Sequence, residues 1–296
     1  MGLKHRMTGW IASDFNIYET LFMKYGGSIN THPDVVRFFM SHRPARYQFW
    51  HRCVEGVITA AWFTTEGNTP GLCVWRDYPV SWDEVRFPFA PGQRFVLPIR
   101  TNRLSPWHRH QVMNAFFSER QSRRMCFIKP AFSGATVKKR KGELRRFMAA
   151  GGETVKLSEM SASDIARMYV RLFRLRFHHS VRCYEQQNIV QLLSAVPHMV
   201  AGNALFFRGQ PCALDLVLCG RSEKMAYFDV PNGGLDPRFL SFSPGSVLMW
   251  TNICDARSQC LSEQREMIFS VGSYDKDWEY KLRWAEPEAT GRVISL

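Results

Sequence analysis

The sequence of 296 residues contains no apolar run that approaches the roughly 18 residues of a membrane-spanning helix. It has no Cys-x-x-Cys pair and no zinc-ligand spacing, although it contains eight cysteines. The first ten residues carry basic side chains with no apolar segment after them, so we expect no secretory signal peptide. These absences predict reduced cysteines, no bound metal, and a protein that is soluble or only peripherally attached to a membrane.

Several catalytic signatures are also missing. The sequence has no Gly-x-Ser-x-Gly elbow, no phosphate-binding Walker loop and no His-Glu-x-x-His pair. Their absence argues against the hydrolase and nucleoside-triphosphatase classes that these motifs identify. No repeat of 20 to 50 residues is visible, which argues against a solenoid or a propeller.

Acidic residues are scarce: 26 Asp and Glu stand against 39 Lys and Arg, for a net charge of +13. Most of the excess lies between Arg100 and Arg146, where thirteen basic residues accompany two glutamates. Within this region the pattern over 136–150 predicts a helix. Five cations surround that helix, and they are Lys138, Lys139, Lys141, Arg145 and Arg146. The charge favours an anionic partner without choosing between nucleic acid, a phosphate ligand and a membrane surface, and a merely solvated helix face is the alternative.

Local patterns in the first half predict helices followed by short strands. Ser13 can cap a helix over 13–25, and Pro33 suits the first turn of a helix over 31–40. Short β-rich runs cover 47–75, and the proline-rich stretch over 76–110 excludes a continuous helix.

The second half begins with a helix whose capping pair is Ser161 and Asp164. Arg167, Arg171 and Arg174 fall on one face of this helix and predict a second anion-binding surface. The remaining patterns predict, in order, a helix over 185–196, three close strands over 204–230, a helix over 243–256 and a strand over 267–271.

Four features follow one another between Ser133 and Trp284: the basic helix ending in Gly-Gly, the helix from Ser161, the hairpin strands, and the block SFSPGSVLMW before a strand and YKLRW. In this order they resemble the acetyltransferase-type (GNAT) domain of FemAB-like and CelD-like proteins. The segment YGGSINTHPDVV, the chain length and the Ser-Pro-Gly block also resemble the Mig-fourteen (Mig-14) family. Members of that family are basic bacterial proteins linked to resistance against host antimicrobial peptides.

The resemblance implies a mixed α/β (α+β) fold, with a GNAT-type split mixed sheet flanked by helices. It also implies a degenerate second GNAT-like half at the N-terminus, with domains over 1–132 and 133–296. An acyl donor would bind at the split, against the helix that begins with Ser243, Gly245 and Ser246. Pro244 removes one backbone donor there and the usual glycine spacing is missing, which conflicts with acyl-coenzyme A. FemAB-like proteins use aminoacyl-tRNA instead, and we keep both donors as alternatives.

Asp229 and Tyr280 are the predicted catalytic residues, with Asp215 as a further candidate, because amine acylation uses a base near the attacking nitrogen, or good alignment alone. The structural alternatives are that the two aspartates pair with the arginines of the helix from Ser161 and that Tyr280 is a core residue. We expect an acyl or aminoacyl transferase that modifies an envelope amine and contributes to resistance against cationic antimicrobial peptides. The expected location is cytoplasmic, with peripheral contact to the inner membrane, and the expected partner is tRNA or an anionic membrane surface. The alternatives are an inactive GNAT-fold protein on that membrane and, last, a DNA-binding regulator, for which no reader motif is visible.

Overall fold

The computed structural model describes residues 7–42, 45–65, 69–71, 73–120, 123–178 and 180–294. The chain forms an antiparallel sheet of three strands near its start and a mixed sheet of eight strands that dominates the rest. A pair of short strands joins residues 115–117 to residues 291–293.

The first sheet has the order β1-β2-β3, with two helices between its first and second strands. The elements are β1 (Ile11–Ser13), α1 (Phe15–Tyr25), α2 (Pro33–His42), β2 (Gln48–Val54) and β3 (Val57–Thr64). Asp14 rather than Ser13 caps α1, since its carboxylate accepts a hydrogen bond of 2.9 Å from the N–H of Ile17. The second helix begins at Pro33 because residues Ile29–Thr31 form a separate 3₁₀ turn.

Aromatic rings fill the space between these elements. Trp62 is fully buried and packs against Trp10 and Trp50, with ring centroids 5.7 and 5.9 Å apart. Residues 73–114 then cover this core as irregular backbone with two short 3₁₀ turns, joined by single bridges, one of which pairs Ala60 with Phe89. The prolines predicted to exclude a helix are consistent with this path.

The strands of the large sheet are β5 (Arg124–Ile128), β6 (Gly152–Lys156), β7 (Val200–Ala201), β8 (Asn203–Phe207), β9 (Gln210–Arg221), β10 (Met225–Leu235), β11 (Glu266–Ser273) and β12 (Ala285–Ala289). Their order is β12-β5-β11-β10-β9-β8-β6, and β7 pairs with β9. The helices that flank it are α3 (Gly134–Ala149), α4 (Ala162–Phe177), α5 (Gln186–Ala195) and α6 (Pro244–Ser262). The two short strands outside both sheets are β4 (Ala115–Phe117) and β13 (Gly291–Val293).

The helix that begins after Ser161 is confirmed, since the Ser161 hydroxyl accepts a hydrogen bond of 3.1 Å from the N–H of Asp164. α6 extends six residues beyond the predicted end at residue 256. Tyr280 to Arg283, the first four residues of YKLRW, are helical and belong to a 3₁₀ stretch over Lys276–Arg283 that is kinked at Trp278.

The large sheet is split between β10 and β11. These two strands pair in parallel from Met225 opposite Glu266 to Asp229 opposite Ser270. Beyond Asp229 an irregularity bends β10, and β11 continues its pairing with β5 on the other side. The strands therefore diverge after Asp229, as the GNAT-type resemblance implies, and the start of α6 lies at the opening.

The boundary between residues 132 and 133 stays a prediction. β5 precedes it, yet pairs with both β11 and β12 in the large sheet. β13 follows it, yet pairs with β4. The two halves are thus linked through strand pairing as well as through side-chain contacts.

Candidate functional site

A cleft of about 570 Å³ opens where β10 and β11 diverge. Its walls are the bent part of β10, the end of β11, the start of α6 and the 3₁₀ stretch Lys276–Arg283. Ser243, Gly245, Ser246 and Tyr280, all predicted from the sequence, line this one cleft.

The start of α6 offers few free backbone donors. Ser243 has left-handed backbone angles (φ 53°, ψ 50°), and its hydroxyl forms no capping hydrogen bond. Pro244 has no N–H, and the N–H of Ser246 is already bonded to the Ser243 carbonyl at 2.9 Å. A pyrophosphate cradle needs several unpaired N–H groups in the first turn, so these residues do not fit the pyrophosphate of coenzyme A.

The same turn leaves room for a ligand beside Gly245. A β-carbon at this glycine would meet only the side chain of Leu235, at 3.6 Å, which is an ordinary contact distance. Gly245 therefore borders open space in the cleft, and a large side chain there would occupy the volume available to a ligand.

A polar group of three residues lies inside the cleft, and it consists of Asp215, Arg176 and Tyr280. Nη2 of Arg176 donates to the Tyr280 hydroxyl over 3.4 Å, and Nη1 donates to the Gly233 carbonyl over 3.2 Å. Asp215 is the antiparallel partner of Gly233 on the neighbouring strand, which brings its carboxylate to the same wall. The glycine is required there, because a β-carbon at Gly233 would collide with Oδ1 of Asp215.

The environment of this group changes its acidities. Burial raises the pKa of Asp215 to about 6, although the Arg176 charge and a hydrogen bond from Asn252 oppose the shift. Burial also raises the pKa of Tyr280, again against the influence of Arg176. At neutral pH the site therefore holds a carboxylate that can accept a proton and a phenol that can donate one.

The N-terminal half reaches the cleft through Ser81 and Asp83. Oδ2 of Asp83 accepts a hydrogen bond of 3.4 Å from the N–H of Ser273, at the end of β11. On the same wall Lys281 donates to the Ser273 carbonyl over 2.7 Å, and burial lowers the pKa of its ammonium group.

Asp229 occupies a different position from the other predicted residues. It is 1% exposed and lies at the fork, as the last residue of β10 paired with β11, and it is not among the residues that line the cleft. Burial raises its pKa to about 8, and the nearby Asp83 charge adds to the increase.

The predicted anion-binding residues form two exposed groups. Arg167, Arg171 and Arg174 border a shallow depression on α4, together with His178 and Arg238. Lys138, Lys141 and Arg145 border a second depression on α3, and Lys139 and Arg146 are exposed on the same helix. Arg140 points inward instead, where it donates to Glu143 over 2.7 Å and stacks on Trp284.

Sequence reasoning assigned no role in the site to Asp83, Arg176 or Lys281. Arg176 lies only two residues after Arg174. At that spacing a helix turns a side chain away from the face that carries Arg167, Arg171 and Arg174, and this was the one signal in the sequence for its position. Asp83 carried no comparable signal, because its position depends on irregular backbone folded across the other half.

Two further observations concern the described part of the chain. None of its helices combines the length and apolarity that a bilayer crossing requires. Within the same residues, no group of three or more His, Cys, Asp or Glu side chains is placed to hold a metal ion.

The chain is similar to several solved structures. A protein described as FemX is similar over 97% of both chains, with a TM-score of 0.61 and 6% identity. A conserved protein of unknown function from Bacteroides thetaiotaomicron has a TM-score of 0.50 and 8% identity, over 97% of this chain and all of the other. The C-terminal domain of a putative lysylphosphatidylglycerol synthetase from Agrobacterium fabrum has a TM-score of 0.44 and 13% identity; the match covers 64% of this chain and 66%, just under two thirds, of that one.

At such low identities these likenesses concern the fold alone. Together with the split sheet, the likeness to FemX over almost the whole of both chains confirms the predicted GNAT-type fold class. No curated protein matches the sequence. A family model described as Mig-14 matches residues 32–293, which is most of the chain. The chain therefore belongs to the Mig-14 family.

Proposed function

We propose that this protein transfers an acyl or aminoacyl group to an amine within the cleft of the split sheet. The observation that carries the proposal is the convergence of Asp215, Arg176 and Tyr280 on the void beside Gly245. A proton acceptor, a fixed cation and a proton donor in one cleft are the groups that amine acylation uses.

Each group has a distinct part in the proposed reaction. In the reaction with an aminoacyl ester, the amine nitrogen attacks the carbonyl carbon of the donor, so that a C–N bond forms and the bond to the leaving ester oxygen breaks. Asp215 takes the proton that the amine loses, and Tyr280 gives a proton to the leaving oxygen. Arg176 stabilises negative charge that develops on the phenol oxygen. Exchange with water then restores the proton of Tyr280 and removes that of Asp215.

The start of α6 favours an aminoacyl ester of tRNA over acyl-coenzyme A as the donor. The pyrophosphate of coenzyme A would find too few free N–H groups at residues 243–246. A tRNA would instead be held through its phosphates, and the exposed cations Lys138, Lys139 and Arg146 on α3 supply charge for such contacts. Its binding would then weaken steeply as the salt concentration rises.

The proposed acceptor is an amine of the bacterial envelope. Membership of the Mig-14 family and the basic surface support this acceptor. The same two observations support a role in resistance to cationic antimicrobial peptides. Attachment to the inner membrane would bring the cleft close to such an acceptor.

The test is equilibrium binding of the full chain to aminoacyl-tRNA and to acetyl-coenzyme A at matched, moderate salt. Gly245→Trp fills the cleft and is expected to reduce donor binding at least tenfold. The matched control is Val57→Trp, since Val57 is 56% exposed at the start of β3, in the other half of the chain. Equal binding by both variants and the unaltered protein would contradict a donor site in the cleft. Binding to anionic vesicles with neither donor bound would instead indicate a non-catalytic membrane protein.

A further inference from the structure

The turn Pro237–Phe242, which leads into α6 at the mouth of the cleft, contains no buried residue. Leu240 is 57% exposed, and Phe239 and Phe242 are half-buried beside it. Both phenylalanine rings pack on Phe207, with centroids 5.5 and 4.8 Å away. We call these four side chains the apolar rim. Apolar groups that project together from a surface mark a contact site more often than isolated ones do.

The apolar rim is held in place by fixed contacts. The carboxylate of Asp236 is 1% exposed and forms hydrogen bonds of 2.7 to 3.1 Å with the guanidinium of Arg238. It also accepts a bond of 3.0 Å from the backbone N–H of Arg238, which fixes the start of the turn. At the other end, Phe242 packs against the buried Phe147 of α3, with ring centroids 6.2 Å apart.

Cations flank the apolar rim on both sides. On the α4 side, Arg238 shares a surface depression with Arg171 and Arg174. On the α3 side, Lys141 and Arg145 border Leu144, which packs in the same apolar cluster as the phenylalanines of the rim. Arg208 lies directly over Phe207, at 5.4 Å from the ring centroid. An apolar edge with basic faces on either side is the pattern of proteins that lie in the interface of an anionic bilayer.

We propose that the apolar rim inserts into the headgroup region of an anionic lipid bilayer while the two basic faces contact its headgroups. RNA would satisfy the basic faces but would leave Leu240 in water, whereas a bilayer accommodates both features. The inference rests on the proposed function, which it deepens. Because Leu240 also lines the cleft, docking through this rim places the cleft mouth at the membrane surface. The acceptor is then an amine carried by a membrane-embedded molecule.

The experiment is co-flotation of the full chain with vesicles of phosphatidylethanolamine rich in phosphatidylglycerol, compared with vesicles of phosphatidylcholine. We expect binding to the anionic vesicles only. Leu240→Asp should weaken it at least tenfold, because one inserted leucine contributes a factor of that order. Leu240→Ser should weaken it as well, which separates lost insertion from charge repulsion.

Leu261→Asp is the matched control, since Leu261 is 82% exposed near the far end of α6, about 26 Å along the helix from Pro244. It should bind as the unaltered protein does. Unchanged binding by both Leu240 variants, or an equal loss with Leu261→Asp, would overturn the docking surface. Donor binding measured without vesicles separates the two proposals. A protein that binds donor but no vesicles overturns only the docking, and one that binds vesicles through the rim but no donor overturns only the transferase.

Discussion

The two halves of the chain follow the same order of elements but differ at one point. In each half a strand, two helices and an antiparallel hairpin follow one another, as β1, α1, α2, β2 and β3 and as β6, α4, α5, β8 and β9. In each half, the first strand pairs antiparallel with the first strand of the hairpin, as β1 with β2 and as β6 with β8. A further stretch adds antiparallel to the hairpin in both, as the full strand β10 in one and as a single bridge at Phe89 in the other.

The halves diverge after that stretch. The C-terminal half continues into α6 and then β11, which pairs in parallel with β10 and separates from it. The N-terminal half continues as irregular chain over a core of aromatic rings such as Trp62 and Trp10. The common topology thus provides a scaffold, and the cleft depends on the diverging strands and the helix between them. A degenerate copy is what remains when those later elements are absent.

The first way to test this comparison is to damage the core of the N-terminal half. Trp62→Ala should lower the free energy of unfolding by about 3–5 kcal/mol, because it leaves a large cavity at a fully buried site. Urea denaturation followed by circular dichroism measures the loss. Donor affinity of the fraction that stays folded should not change. A change in that affinity would show that the aromatic core shapes the cleft directly.

Asp215→Asn should have the next largest effect, and on activity rather than on stability. Loss of the proton acceptor is expected to reduce kcat/KM about 100-fold. In the unaltered protein, kcat/KM should fall about tenfold per pH unit below the Asp215 pKa of about 6. Glu55→Gln is the control, since Glu55 lies exposed in the hairpin turn of the other half. Full activity in Asp215→Asn would remove this residue from the reaction.

Asp229→Asn tests whether the buried carboxyl group where β10 and β11 separate lowers the free energy of unfolding at neutral pH. A carboxyl group whose pKa is raised to about 8 holds its proton more tightly when folded than when unfolded, where the pKa is near 4. Its contribution to stability is therefore present at low pH and is lost as the pH rises toward 8. The loss for one proton is at most about 1.4 kcal/mol per pH unit. Unfolding by urea between pH 5 and pH 8 should show a flatter profile for the variant, and identical slopes would contradict the shift.

Asp83→Asn should have the smallest effect. This side chain is the carboxylate that the N-terminal half presents to the cleft, and it contacts the end of β11 rather than the polar group around Asp215. We expect a change in KM of about three- to tenfold with kcat nearly constant, as for a positioning contact. A loss in kcat comparable to that of Asp215→Asn would instead make the N-terminal half part of the chemistry.

Much of the local structure could be predicted because short-range signals determine it. Ser161 caps α4 as its spacing indicates, and the strands over 204–230 lie close to their predicted positions. The convergence of residues on the cleft could not be predicted in the same way. Asp215 reaches it only because its cross-strand partner is Gly233, and that register is set by the whole sheet.

The conformation of Ser243 shows the same limit. A serine before a proline is typical of a helix cap, and this one does occupy the capping position. The turn over 237–242 nevertheless delivers it with left-handed backbone angles, so its hydroxyl does not bond to the helix. Tertiary packing therefore determines whether the Ser243 hydroxyl caps α6 or faces the cleft.

The position of β5 also determines when the large sheet can close during synthesis. This strand is synthesised before both of its neighbours: β11 follows about 140 residues later, as the pairing of Phe127 with Ser270 shows, and β12 about 160 residues later. At about 5 to 20 residues per second, the interval before β11 lasts roughly 7 to 30 seconds. Throughout it, a strand with the apolar residues Met125, Phe127 and Ile128 has neither neighbour. A nascent chain therefore exposes this edge to other chains until residues 266–289 have been synthesised.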